Sequence, residues 1–214
     1  MPGTALDFSS LAPGERYKLL CAVVVPRPIA LVTTLAENGT VNAAPFSFFN
    51  VFSEDPPLVV LGLQRKADGT MKDTTAAIAR SGVFTVNMVD EALAEAMNLC
   101  AVDFPPGVSE PEMAGLALGA GRAIPVPHLA AAPFALECRK SVALSFGPGR
   151  ELLVGEVLAL HAREGLLDIA SLRVDAAAYH PVGRLFGDLY ARQDDRFTLV
   201  RRSHADWLAE RARD

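Results

Sequence analysis

Three short segments carry residue types suited to holding an anion beside a flat ring. The first is Pro26-Arg27-Pro28. Two prolines keep the arginine on a stiff, extended backbone, and a guanidinium matches phosphate geometry. Taken alone, a surface arginine in a rigid turn explains this segment better. The second runs from Asn42 to Asn50 and holds Ala43, Ala44, Pro45, Phe46, Ser47, Phe48 and Phe49. Small residues beside proline let a ligand approach the backbone, and Ser47 and Asn50 offer hydrogen bonds. The phenylalanines suit a core, an interface or a ring system equally well. The third is Asp68 to Thr75, where a helix start coincides with Lys72 and several hydroxyls. Free N–H groups at such a start favour an anion, and Lys72 adds a full charge. A capped helix with a solvated lysine fits this segment as well, and Asp73 opposes an anion unless the cap occupies it. Spacing alone supports a phosphate pocket in a β-rich protein and nothing finer.

The elements that must position these residues are strands with two intercalated helices. Residues 29–35 are β-prone, Asn38-Gly39 marks a hairpin, and the return strand is Thr40–Ala44. Pro45 suggests a bulge or an edge strand. A buried strand is expected at Leu58–Leu63 and another at Val83–Met88. Between them, Thr70 and Asp73 read as the capping box of a helix ending at Ser81-Gly82. Asp90 caps a second helix to about Cys100. Residues 102–130 are rich in proline and glycine and read as an irregular excursion, the kind of long loop that often carries function. Strands resume at Phe134–Ser145 and Glu151–Arg163 around the turn Gly147-Pro148-Gly149. Residues 164–196 read as loop, Phe197–Val200 as a closing strand, and the segment from Ser203 as a short helical tail. This order is not a βαβ alternation, so an antiparallel barrel or sandwich with peripheral helices is expected over a single domain of 1–214, with a core of about 20–202.

Composition and absent motifs narrow the function. The 214 residues carry a net charge of −5, which disfavours nucleic acid. No apolar run approaches the roughly 18 residues of a membrane span. No signal peptide is legible, so a cytoplasmic protein is expected. Cys21, Cys100 and Cys138 form no CxxC unit, and neither disulfides nor a metal site are expected. There is no phosphate-loop motif, no GxSxG and no HExxH. Gly119–Ile124 fails as a dinucleotide fingerprint because Pro125 stands where a helix should begin.

Pro26–Thr34, Asn38-Gly39, Asn42–Asn50, Asp55–Pro57, Asp68–Thr74 and Phe84–Asn87 occur in an order that resembles the flavin-reductase-like, FMN-binding split-barrel family. The match continues through Leu136–Cys138, Gly155–Val157, Pro181–Arg184 and Tyr190. The resemblance implies a mainly β, Greek-key split barrel that forms a homodimer and binds FMN near the subunit interface. It implies that Arg27, Ser47, Asn50, Lys72 and Thr74 serve the phosphate and ribityl chain. The backbone of Ala44, Pro45, Phe46 and Ser47 would face the ring, and Thr33 and Thr34 on the strand below would add a hydroxyl. Arg184 and Tyr190 would close over the ring or nicotinamide. Phe186 departs from the paired glycine that many relatives carry after this arginine-leucine. The implied activity is hydride transfer from NADH or NADPH to flavin, with reduced flavin passed to a partner monooxygenase or another redox acceptor. That step requires no side-chain acid or base, so no catalytic residue is assigned. The rival readings are an FMN electron-transfer protein without a nicotinamide site and a barrel that binds haem or another cofactor.

Overall fold

The computed structural model describes residues 3–66, 68–105 and 107–211. Seven strands form one antiparallel sheet: β1 (Ala30–Leu35), β2 (Val41–Phe46), β3 (Phe49–Glu54), β4 (Pro57–Gln64), β5 (Val83–Met88), β6 (Phe134–Ser145) and β7 (Arg150–Ala162). Their spatial order is β2-β1-β5-β6-β7-β4-β3. The two edge strands, β2 and β3, are therefore consecutive in the chain and joined only by Ser47 and Phe48. Laid flat, seven strands would hold their edges roughly 29 Å apart. The three residue steps from Phe46 to Phe49 reach at most about 11 Å. The sheet must curl until its edges approach, which makes a barrel split along the Ser47-Phe48 seam. After β4 the chain crosses over and returns beside β1, a Greek-key return. That crossover carries helix α2 (Asp73–Ser81).

Local chemistry explains most boundaries. Gly39 takes φ +84° at the β1–β2 hairpin, where the Asn38 side chain accepts the Thr40 N–H at 3.0 Å. Helix α1 (Pro13–Val23) begins at Pro13, and the Glu15 carboxylate accepts the Ala12 N–H at 2.8 Å. Gly82 ends α2 at φ +72°. The Asp90 carboxylate caps the turn before α3 (Ala94–Leu99) by accepting the Leu93 N–H. Pro45 does lie on an edge strand, opposite Leu31.

Two apolar clusters flank the sheet. Val32, Leu61, Phe84, Val86, Cys138 and Leu153 fill the barrel. Ile29, Leu31, Leu93, Met97 and Leu129 form a second cluster on the outer face of β1 and β5. β1 is thus covered on both sides, which is why its burial shows no alternation.

The cover on that outer face is the 102–130 excursion. Among its described residues it has little regular structure, only a helical turn at Glu110–Met113 and the paired dipeptides Leu118-Gly119 and His128-Leu129. Its main chain is instead bound by a row of fully buried polar side chains on β1, β5 and β6. Thr33 donates to Pro127 O at 2.7 Å, Thr85 donates to Val126 O at 3.3 Å, and Asn87 accepts the Leu129 N–H at 2.8 Å. Glu137 accepts the N–H groups of Arg122, Ala123 and Ile124 at 2.6, 2.6 and 3.0 Å. Thr33, Thr85 and Glu137 stand in register across three strands.

Three expectations are corrected. Thr70 does not cap α2, because the Asp68-Gly69 turn captures both its N–H and its hydroxyl on the Asp68 carboxylate. The helix starts two residues later than a Thr70 cap implies, at Asp73, with Lys72 at the capping position and no side-chain cap. Asp73 does not reach back but pairs with Lys66 at 3.4 Å. Phe197–Val200 forms no strand, and Phe197, Leu199 and Val200 are more than four-fifths exposed. Among the described residues, no helix is long and apolar enough to cross a membrane.

Gly155 tests the barrel packing. A Cβ there would stand 2.5 Å from the ring carbon Cζ of fully buried Phe84. Gly155→Ala should lower unfolding free energy by about 1–3 kcal/mol in urea titration. Gly149→Ala, whose Cβ meets open space, should change it by less than ~0.5 kcal/mol.

Candidate functional site

The split in the barrel opens into two contiguous cavities. One, of about 160 Å³, is lined by Tyr17, Ser47, Phe48, Gln64, Lys72 and Arg150 among others. The other, of about 700 Å³, continues past Ala44, Thr74, Arg65 and Lys66 to the segment Cys100–Phe104. Pro45, Phe46, Gln64 and Lys72 line both. The seam creates this space because β2 and β3 diverge on either side of Ser47 and Phe48. The excursion then supplies the far wall. Its start is tied to β2 by the Glu110 carboxylate, which accepts the Ala43 N–H at 2.9 Å, and by Ser109, which donates to Val41 O.

One end of the cleft gathers positive charge. α2 presents its first-turn N–H groups without a side-chain cap. Lys72 stands at that end, and its side chain makes no hydrogen bond or ion pair among the described residues. Arg150 faces it from β7, in register with Gln64 on β4. The Gln64 side-chain oxygen accepts from the Arg150 guanidinium, which holds that cation in the cavity wall. Ser47 completes the set. Asp73 would oppose an anion, but Lys66 partly neutralises it.

Arg27 has a different job from Lys72. It is 7% exposed, and its guanidinium donates to Cys21 O at 2.6 Å, Val24 O at 2.8 Å and Leu185 O at 2.8 Å. Its Nε donates to Ser47 Oγ at 3.3 Å. Residues 164–196 are not all loop: Val182–Arg184 and Tyr190–Arg192 pair as a short hairpin. The Arg27 charge braces the end of α1 and this hairpin against the seam, and touches the cleft only through Ser47.

The other expected site residues divide. Thr74 lines the cleft and is buried, its hydroxyl accepting from Asn42 at 3.0 Å. Ala44, Pro45 and Phe46 line it directly. Asn50 lies on the exposed face of β3 and accepts the Val51 N–H, outside both cavities. Thr33 is not part of the cleft: it is fully buried beneath the excursion, bonded to Pro127 and Asn87. Thr34 is fully buried as well. Arg184 lies opposite Arg27 in a small antiparallel patch and packs over the Tyr190 ring, 4.5 Å from its centre. It also donates to the Tyr190 hydroxyl and to Gly187 O. Neither residue lines the two cavities. Gly187, not Phe186, takes the positive φ of that turn, so the phenylalanine is tolerated there.

Sequence reading missed Tyr17, Gln64, Arg150 and the cleft wall 100–104. Arg150 follows a Gly-Pro-Gly turn and gives no local sign of a ligand; the β4–β7 register alone brings it to Gln64.

Neither Tyr17 nor Cys100 is poised as a base or nucleophile in the cleft. Burial raises the Tyr17 hydroxyl above its usual range, reinforced by Cys21. Burial and the Glu110 charge push the Cys100 thiol up to about 11. Both stay protonated near neutral pH. The arrangement suits a phosphorylated organic group that brings its own reactivity: an anion end, apolar walls at Pro45 and Phe46, and room of several hundred Å³.

Comparison with known proteins identifies the family. The flavin reductase like domain model matches residues 23–197. An uncharacterised protein of Deinococcus radiodurans is 45% identical over 213 residues, covering 97% of this chain and 93% of its own. The crystal structure of 2-nitrobenzoate 2-nitroreductase from Pseudomonas fluorescens is 41% identical, with a TM-score of 0.87 over 94% of this chain and 98% of its own. Nitrilotriacetate monooxygenase component B from Bacillus cereus is 34% identical, with a TM-score of 0.88 over 93% and 100%.

The bracing role of Arg27 is testable without any ligand. Arg27→Lys replaces a planar fork by one ammonium that cannot serve three carbonyls. It should cost about 2–3 kcal/mol of stability in thermal or urea unfolding of flavin-free protein. Native-like unfolding of this variant would refute the brace.

Proposed function

We propose, from the premise that this chain belongs to the flavin-reductase-like domain family, that it is an FMN-binding oxidoreductase passing hydride from NADH or NADPH to flavin. The observation that carries this reading is the unpaired Lys72 at an uncapped helix start, facing Arg150 and Ser47 across the seam. That trio would hold the FMN phosphate. Thr74 and Asn42 would meet the ribityl hydroxyls, and the Ala44–Ser47 backbone would lie along the ring. Bound FMN supplies the hydride acceptor, and reduced nicotinamide supplies the hydride. The protein positions both, keeps Cys100 and Tyr17 protonated, and excludes water with the apolar wall of Pro45, Phe46 and Phe104. Arg184, paired with Arg27, and Tyr190 beside it would close over the exposed side of the ring.

Similarity to a monooxygenase component supports delivery of reduced flavin to a partner oxygenase. Similarity to a nitroreductase supports a second outlet, direct reduction of a small aromatic acceptor in the same cleft. We read the whole chain as one domain. Three free, buried cysteines favour a reducing, cytoplasmic setting. We read the protein as a homodimer, because Val51 and Phe52 on edge strand β3 and the arm Phe197–Val200 leave large side chains uncovered.

Anaerobic NADH or NADPH should bleach the flavin absorbance of the FMN-loaded protein. If neither does so, while a protein donor does, the chain is an electron-transfer module instead. Lys72→Ala and Arg150→Ala should each raise the Kd for FMN about tenfold or more, some 1.4 kcal/mol or above, in fluorescence titration. Size-exclusion chromatography with light scattering should give twice the 22.8 kDa chain mass. A monomer at micromolar concentration would refute the dimer.

A further inference from the structure

Outside the cleft, one cluster of titratable groups is buried and tightly organised. Glu137 is 0% exposed, and its carboxylate already holds three N–H groups of the excursion. His161 on β7 meets the same carboxylate through Nε2 at 2.5 Å and is only a quarter exposed. His128, in the excursion, stacks on His161 with ring centres 4.2 Å apart and planes 22° from parallel. The His128 ring fills a slot against Gly119, where a Cβ would stand 2.3 Å from its Cε1 and Nε2. In that slot His128 Nδ1 is buried and has no partner. Among the described residues, no three acidic, histidine or cysteine side chains are placed to hold a metal.

We propose that Glu137, His161 and His128 form a proton-linked clasp that pins residues 118–130 to the barrel and thereby fixes the excursion wall of the cleft. The coupling to the cleft rests on the flavin reading above; the clasp itself does not. The Glu137 carboxylate lies at Nε2 of His161 and serves that ring as a counter-charge. His128 has none so close: a proton on it would set a cation against the stacked His161 ring and place a new N–H at Nδ1, which is buried without a partner. The ring must then leave the slot, and the 118–119/128–129 pairing and the Leu129–Asn87 bond go with it.

The surrounding groups do not offer another titration. Arg122 contributes its backbone, and its side chain is exposed. Cys138 beside Glu137 lies in the barrel core, its thiol pushed up to about 12 by burial and by the Glu137 charge. Burial raises the Glu137 carboxyl, but the Arg122 N–H, His161 and the Ala123 and Ile124 N–H groups together hold it at about 2. It stays ionised through the window of interest. Burial, with repulsion from His161, lowers His128 below its ordinary value, although the Glu137 charge and the Ala120 backbone work the other way. A histidine held neutral in the fold contributes fully above its unfolded value of about 6.5 and loses that contribution as pH falls through its lower folded value.

The test is amide exchange of Arg122, Ala123 and Ile124 by NMR on the full chain, from pH 8 to 5, corrected for intrinsic rates. The native protein should lose protection at these three amides by about tenfold or more below pH 6.5. The Kd for FMN should rise over the same interval. His128→Gln, which cannot titrate, should show neither change, and His161→Gln should shift the midpoint. Constant protection in the native protein, or the same loss in His128→Gln, overturns the clasp. Loss of protection with unchanged FMN affinity overturns its link to the cleft wall. Failure to bind FMN even at pH 8 strikes the functional reading, and the three amides still decide the clasp. Should Glu137→Gln, the direct variant, fail to fold, the two histidine variants carry the test.

Discussion

Joining the two outermost strands of a seven-stranded sheet with two residues leaves the chain one solution. The sheet curls, the edges meet imperfectly, and the gap between them stays open beside Ser47 and Phe48. Every residue assigned to the anion end reaches it because of that closure. Lys72 arrives on the crossover that must span the barrel end, and Arg150 arrives at the start of β7, in register with Gln64 on β4. The closure also brings residues from opposite sheet edges against one ligand-sized space without spending a dedicated loop on it.

The seam would be only a groove without the excursion, and the excursion would not stay in place by itself. Segments without regular structure carry main-chain groups that need partners when buried. Here the partners are side chains of the barrel. Thr33, Thr85, Asn87 and Glu137 are all fully buried, and each takes a donor or acceptor of residues 122–129. Polar groups at 0% exposure would be costly on an ordinary strand face. On this face they substitute for the missing ladder and hold an irregular segment as firmly as a strand. Because the same segment begins as the cleft wall, the barrel's outer face and the cleft are mechanically continuous.

Arg27 and Lys72 show two uses of one charge. Arg27 sits among three carbonyls and is nearly sealed from solvent, so its field is spent on the fold. Lys72 stands over a helix start with no competing partner, so its charge remains available. A planar fork suits the first task, and a compact ammonium on a flexible stem suits the second. Proline on both sides of Arg27 makes sense in this light: the backbone must be stiff for the side chain to reach back to α1 and across to Leu185.

What could be read from the sequence was local. Strand spans, the Asn38-Gly39 hairpin, the Asp90 cap and the stop at Gly82 depend on neighbours within a few residues, so composition and period reveal them. The order of motifs around Lys72, Ser47 and Pro45 likewise pointed to the flavin family and to the cleft. Even a local signal misled where two short-range options competed, as when the Asp68 turn took Thr70 away from the helix. Everything that depended on distant partners was decided only in three dimensions. Arg27 meets a carbonyl 158 residues away, Thr33 turns out to serve the excursion because its strand face is covered, and Arg150 enters the cleft through strand register. Side-chain roles of this kind depend on which surfaces the closed barrel brings together, and no run of neighbouring residues encodes that.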